Sequence, residues 1–240
     1  MSAGRLYLVP NALGPGNLRA VLPVETSAIA ASLDYFIGEN AKSTRVFLKR
    51  VDAVVPLAKP IQQIEIAELD VATPANALPA LLAPILAGRD AGLVSEAGCP
   101  AVADPGATLV RLAHRHGIDV RPLVGPSALL LALMASGLDG QRFAFNGYLP
   151  TDARERAEAI QQAERRSIQL HQTQIFIETP YRNLALFAAL LDGCRPDTLL
   201  CVACDLTLET QWIASRTAKA WKGTTVDLHK RPTVFLLLAT

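Results

Sequence analysis

The sequence predicts an α/β protein of two domains, with a mostly parallel N-terminal sheet and a mixed C-terminal sheet. Three observations carry this. Through the first half, short apolar runs alternate with helical patterns, as in strands joined by crossover helices. Past residue 125, strands follow one another with fewer helices between them, the pattern of a mixed sheet. The 240 residues, half of them apolar, are enough for one large domain or two of roughly 120 residues. The change of pattern puts the boundary at residues 124–126, between domains 1–124 and 125–240.

In the first domain, Arg5 to Val9 reads as a strand ending in the loop-forming cluster Pro10-Asn-Ala-Leu-Gly-Pro-Gly-Asn17, and a helix begins near Pro23. Tyr35 to Gly38 is a strand, Ser43 to Val51 a helix and Ile61 to Ala67 a strand. Ala77 to Leu86 is Ala/Leu-rich and helical, and Ala91 to Ser95 is a strand. A Gly/Pro loop follows, then a helix from Ala107 to His116 that stops at Gly117, and a strand from Ile118 to Leu123. Asp104-Pro105 has the form of a helix cap with proline in the first turn.

In the second domain, Gly125-Pro126-Ser127 opens a helix that ends at Gly137. Phe143 to Leu149 is a strand, Asp152 to Ile168 a charged amphipathic helix, Gln174 to Ile177 a strand and Asn183 to Leu191 a helix. Leu199 to Ala203, Glu209 to Ala214 and Val234 to Ala239 complete the sheet, with a short helix near Thr217 to Trp221.

Charge narrows the function. Twenty-three basic and 22 acidic residues give a net charge of +1, which excludes both an acidic disordered chain and a strongly basic nucleic-acid wrapper. Any polyanion must be met by a local patch. Residues 71–88 and 122–138 are uncharged and approach membrane-spanning length, but Pro74, Pro79 and Pro84 interrupt the first and Gly125-Pro126-Ser127 the second. Both read as loops feeding buried helices, with no membrane partner. The N-terminal residues lack the basic and apolar regions of an export signal, so a cytoplasmic location is expected. Cys201-Val-Ala-Cys204 has C-x-x-C spacing but lies in a strand-like run, where residues three apart face opposite ways. With His114, His116, His171 and His229 offering no second ligand pair, no metal site is expected.

Open α/β sheets bind ligands beyond the carboxyl ends of their strands. Gly14-Pro-Gly16 starts like a dinucleotide fingerprint, but Arg19 occupies the third glycine position, against a nicotinamide enzyme. The loop from Ser95 to Gly106 holds two glycines, two prolines and two carboxylates directly after a strand, a segment able to offer backbone groups to a ligand.

Leu93-Val-Ser-Glu-Ala-Gly-Cys-Pro-Ala-Val-Ala-Asp-Pro-Gly106, followed by Leu123-Val-Gly-Pro-Ser-Ala128 and Phe143 to Pro150, resembles the tetrapyrrole methylase family. Leu6 to Pro10, Glu39, Phe176-Ile-Glu-Thr-Pro-Tyr-Arg182 and Leu206-Thr207 with Glu209 extend the resemblance over nearly the whole chain. Within the family it is most similar to the ribosomal RNA small-subunit methyltransferase I branch, which methylates a cytidine 2′-oxygen. The resemblance implies an S-adenosylmethionine (SAM) methyltransferase of two α/β domains, a homodimer with the cofactor in the cleft between the domains and RNA or a ribosomal subunit as partner. It implies a SAM site of Pro10, Asn11, Glu96, Ala97, Gly98, Cys99, Val102, Ser127, Ala128, Ile177 and Glu178, with Asp205, Leu206, Pro232 and Thr233. The expected acceptor side comprises Glu39, Lys42, Arg45, Tyr181 and Arg182.

The chain departs from that branch on the acceptor side. Glu39-Asn-Ala-Lys42 stands for Glu-Asp-Thr-Arg, Ile61 to Pro74 lacks an expected His, Cys204-Asp-Leu-Thr207 replaces Arg-Glu-Leu-Thr, and Lys230-Arg-Pro232 replaces Lys-Gly-Glu. The expectation is retained SAM binding with an acceptor open to change: RNA, a tetrapyrrole-like small molecule, or none in a silent SAM-binding protein. Glu39 reads as a base or substrate orienter, or alternatively as a solvated helix cap. Arg154, Arg156, Arg165 and Arg166 are interleaved with acids and read as an ordinary charged helix face.

Overall fold

A computed structural model describes residues 3–240, which divide into two units between Ser127 and Ala128. The division falls three residues beyond the expected 124.

The first unit is built on five parallel strands: β1 (Arg5–Leu8), β2 (Tyr35–Gly38), β3 (Glu65–Glu68), β4 (Ala91–Val94) and β5 (Asp119–Pro122). Their order across the sheet is β3-β2-β4-β1-β5. Every residue of β2 and β4 is buried, which explains their continuous apolar sequence: helices cover both faces, so neither face needs polar side chains.

Helices α1 (Val24–Ser32) and α2 (Ala41–Asp52) pack Ala30, Ala31, Phe47, Leu48 and Val51 against one face, with Phe36 and Val94. On the other face, α3 (Leu78–Leu86) and α4 (Gly106–Arg115) bring Leu82, Ile85, Leu109 and Ala113 onto Leu6, Ile37 and Leu93. The connections through α1 and α2 run toward β3 and those through α3 and α4 toward β5. Parallel crossovers are right-handed, so a reversal of direction requires a change of face.

In the second unit the sheet order is β6-β7-β10-β8-β9, with β6 (Phe143–Phe145), β7 (Thr173–Ile177), β8 (Leu199–Cys204), β9 (Trp212–Thr217) and β10 (Thr233–Leu238). Only β6 and β7 are parallel; β10 runs antiparallel to β7 and β8, and β9 to β8. Helices α6 (Ala153–Leu170), α7 (Asn183–Gly193) and α8 (Ala218–Trp221) bury Ile160, Leu186, Phe187 and Trp221 against Leu200, Val202 and Cys204. Helix α5 (Ala128–Ser136) packs on β8, β9 and β10, and its Ser136 carbonyl accepts the Ser215 hydroxyl.

The structure corrects several boundaries. Ile61–Gln63 is a 3₁₀ turn rather than strand, because the partner β2 begins at Tyr35, opposite Glu65. Phe143 to Leu149 remains a strand only to Phe145, the chain turning at Gly147 with φ +67°. Glu209 to Gln211 forms a turn in which Gln211 Oε1 accepts the Thr207 N–H, so β9 starts at Trp212. Pro105 precedes α4 instead of occupying its first turn. Among the described residues no helix is long and apolar enough to cross a membrane.

Candidate functional site

In the first unit, β1 and β4 are neighbours whose following helices leave on opposite faces. This is the switch point at which open α/β sheets form a crevice, and the two loops there are tied together. Asn11 N–H donates to the Gly98 carbonyl at 2.9 Å and Gly98 N–H returns a bond to Asn11 at 3.1 Å. The Asn11 side-chain amide donates to the carbonyls of Ser95 (3.2 Å) and Glu96 (3.0 Å). A small amide suits the position because it satisfies two inward-facing carbonyls of a non-repetitive segment.

Gly98 lies at φ +73°, and a Cβ there would stand 3.2 Å from a Leu13 methyl group. Gly125 has a different reason to be glycine: an added Cβ would meet Pro10 Cβ at 2.3 Å. Beyond Gly98 the loop holds Ala101 and Ala103 at φ +65° and +64°, each costing about 1–2 kcal/mol for an L-residue. The Asp104 carboxylate stabilises this turn by accepting the N–H groups of Ala101 and Gly106. The Cys99 thiol donates to Pro126 O at 3.5 Å, and burial pushes its pKa up, keeping it protonated.

Glu39 follows β2. It does not cap α2: Asn40 does, accepting the N–H groups of Lys42 (2.8 Å) and Ser43 (3.2 Å). The half-buried Glu39 carboxylate instead faces the β4 loop and accepts the Glu96 N–H at 3.3 Å. Burial raises its pKa above the usual carboxylate range; the Glu96 N–H opposes this, while the negative charges of Asp104 and Glu96 reinforce it. Ser43 donates to Glu96, and Arg50 on the same helix donates to the carbonyls of Gly14 (3.2 Å) and Gly16 (2.9 Å). Helix α2 thereby braces both loops. Between them lies an open cleft of about 560 Å³, lined by Asn11, Gly14, Lys42, Ser43, Arg50 and Glu96 among others.

In the second unit, the antiparallel register sets the start of β10 beside the ends of β7 and β8: Val234 pairs with Ile177 and Thr233 with Cys204. Ile177, Glu178, Asp205, Leu206, Pro232 and Thr233 therefore gather at one end of the three inner strands, with Asp205 and Thr207 at positive φ. Both acids there are buried and paired. Arg182 reaches Glu178 Oε1 at 2.7 Å and also the Thr151 hydroxyl; Arg231 reaches Asp205 Oδ2 at 2.8 Å. Tyr181 is exposed, with the His229 ring edge-on and the Lys230 ammonium over its face at 5.9 Å.

Of the residues expected from sequence, Pro10, Asn11, Glu39, Lys42 and Glu96 to Cys99 meet at the strand ends of the first unit. Val102 is exposed on the same loop, Arg45 lies one turn along α2 outside the cleft lining, and Ser127 follows Pro126. Ala128 opens α5. The sequence reading missed Ser43, Arg50 and Arg231. Asn40 directly before a helix was a legible cap signal, but nothing local marks an arginine that binds a loop 34 or 36 residues away.

A sequence profile described as "Tetrapyrrole (Corrin/Porphyrin) Methylases" matches residues 5–220. The chain belongs to the tetrapyrrole methylase family. Curated proteins similar to this chain include ribosomal RNA small subunit methyltransferase I of Escherichia coli O157:H7, 32% identical over 183 residues, covering 76% of this chain and 58% of that protein. The protein of the same name from Synechocystis sp. is 37% identical over 144 residues, covering 60% of this chain and 48% of that one. The chain thus spans about half the length of these curated relatives. In fold, this family member is similar to the methyltransferase CobJ (TM-score 0.65, 19% identity, 99% of this chain and 95% of that one). It is also similar to uroporphyrin-III C-methyltransferase from Thermus thermophilus complexed with S-adenyl homocysteine (TM-score 0.57, 19% identity, 98% and 97% covered).

Proposed function

We propose that this protein is a SAM-dependent methyltransferase acting on ribosomal RNA, working as a cytoplasmic homodimer. The observation that carries the reading is the cross-bonded pair of loops after β1 and β4, in a chain of the tetrapyrrole methylase family. The residues present fit the cofactor. Positive-φ turns leave backbone groups available for its adenine and carboxylate, Leu13 and Val102 offer apolar contact, and loop carbonyls suit a sulfonium. When bound, SAM supplies an electrophilic methyl group.

The chain's own contribution is alignment and proton handling. Asn11, Arg50 and Asp104 hold the loops in place, and holding an acceptor in line with a methyl carbon is worth up to roughly 7–11 kcal/mol. Among the chain's own groups, the Glu39 carboxylate would take up the proton of a ribose hydroxyl acceptor. Its raised pKa makes it a stronger base than an exposed glutamate. The Cys99 thiol, kept protonated, is a poor competitor for the methyl group.

Calorimetric titration with SAM and S-adenosylhomocysteine, followed by labelled-methyl transfer to small ribosomal subunits and to a porphyrinoid, tests the reading. Binding together with label in ribosomal RNA is expected. Label in the porphyrinoid alone moves the acceptor to a small molecule, and failure to bind either nucleoside removes the reading altogether.

A further inference from the structure

We propose that the outer face of α2 is a phosphate-docking ridge that leads a single-stranded RNA segment into the cleft beside Glu39. The inference rests on the RNA-acceptor reading above and names the surface that would recognise it.

Helix α2 carries Lys42, Arg45, Lys49 and Arg50 against the single acid Asp52. Its buried side is Thr44, Phe47, Leu48 and Val51. Lys42, Arg45 and Lys49, at i, i+3 and i+7, share the opposite side and are exposed. Seven residues of helix set the first and last about 10 Å apart.

Three further observations separate this ridge from an ordinary charged face. Among the described residues none of these three cations pairs with a carboxylate, whereas Arg5, Lys59, Arg89 and Arg121 of the same unit all do. Lys42 sits in the first turn, where no acid is present and the helix dipole opposes a positive charge, so fold stability does not explain its place. Finally, the ridge begins at the cleft: Lys42 lines it, and α2 starts two residues beyond Glu39. Arg50 is not part of the ridge, since its guanidinium holds the Gly14 and Gly16 carbonyls.

Two other basic helices provide the contrast. On α6, Arg154 pairs with Glu158 and Arg156 binds the Pro150 and Thr151 carbonyls, while Arg165 and Arg166, exposed and in no ion pair among the described residues, belong to the second unit. On α4, Arg111 and Arg115 are exposed and, among the described residues, form no ion pair, but α4 covers the other face of the sheet and Arg115 is its last residue, at the end away from the β4 loop. They are cations of the same unit without the cleft.

The test measures binding of a labelled single-stranded RNA oligonucleotide to the full chain as a function of salt. Each phosphate contact contributes about 0.7 to the slope of log affinity against log salt, so three contacts contribute about 2. Replacing Lys42, Arg45 and Lys49 together by Ala is expected to flatten the slope by about 2 and weaken low-salt binding at least about 10-fold. The paired change Arg111→Ala and Arg115→Ala is expected to leave slope and affinity as in the parent. An unchanged slope in the folded triple variant overturns the ridge, as does an equal loss in the Arg111/Arg115 control. Polyglutamate displacing the RNA at equal charge concentration overturns it in favour of an acidic protein partner. Ridge-dependent RNA binding without methyl transfer to ribosomal RNA supports the ridge and counts against the catalytic reading alone. Transfer by the triple variant with an unaltered KM for RNA counts against the ridge alone.

Discussion

The two units treat carboxylates at their strand ends in opposite ways. In the second unit Glu178 and Asp205 are buried, and each is met by an arginine, Arg182 or Arg231. In the first unit, among the described residues, no cation pairs with Glu39, Glu96 or Asp104; burial raises the pKa of Glu39 and Asp104, and the charges of Asp104 and Glu96 add to the rise at Glu39. A paired buried acid holds a structure together; an unpaired, half-buried one is held in readiness at a cost to stability. In the function proposed above, proton chemistry belongs to the first unit, and the acids of the second unit hold its strand ends in place.

The comparison breaks most directly at Glu39. Glu39→Gln is expected to lower the rate of methyl transfer about 10²- to 10⁴-fold, read by single-turnover transfer with saturating SAM, while the fold persists. The linkage has a definite sign. Because the folded-state pKa is raised, the associated stability is fully present below the unfolded value of about 4.3 and is lost as pH rises through the folded value. The Gln variant should therefore melt above the parent at neutral pH, and the gain should vanish in acid. A neutral-pH melting point below the parent's would mean that the Glu39 charge stabilises the fold.

Arg231→Ala should act the other way, costing about 3 kcal/mol in a denaturant titration. This is the low end for a broken buried pair, since the Arg231 side chain is 23% exposed. A change below about 1 kcal/mol would remove the structural reading of the second unit's acids. Gly98→Ala should cost about 1–2 kcal/mol for the left-handed backbone and weaken SAM about 10-fold in calorimetry, testing whether the bridged loops are the ligand's platform. The smallest effect is expected at Asn40→Ala: loss of the α2 cap, about 1 kcal/mol, with SAM affinity preserved.

Much of the fold was legible because its signals are local. Tyr35–Gly38 is a strand on its apolar run alone, and Asp152 starts α6 through side-chain bonds to the next N–H groups. The misread segments depended on partners elsewhere. Ile61 to Gln63 looks like strand, yet no backbone of β2 lies opposite it, and Glu209 to Gln211 is drawn into a turn by Asp205 and Thr207 at positive φ. At the site, motif resemblance marked the loops but left Glu39 divided between base or orienter and cap, and only the position of Asn40 set the cap aside.

By itself, then, the sequence determined the α/β class, the change of sheet type near residue 125, the family resemblance and the loops that matter, all properties of periodicity, turn chemistry and residue order. The tertiary structure decided which charges meet. Arg50 reaches Gly14 and Gly16, Glu96 turns its N–H to Glu39, and Arg231 neutralises Asp205 across 26 residues. Electrostatic pairing depends on distance in space and on burial, and neither is written in the spacing of residues along the chain.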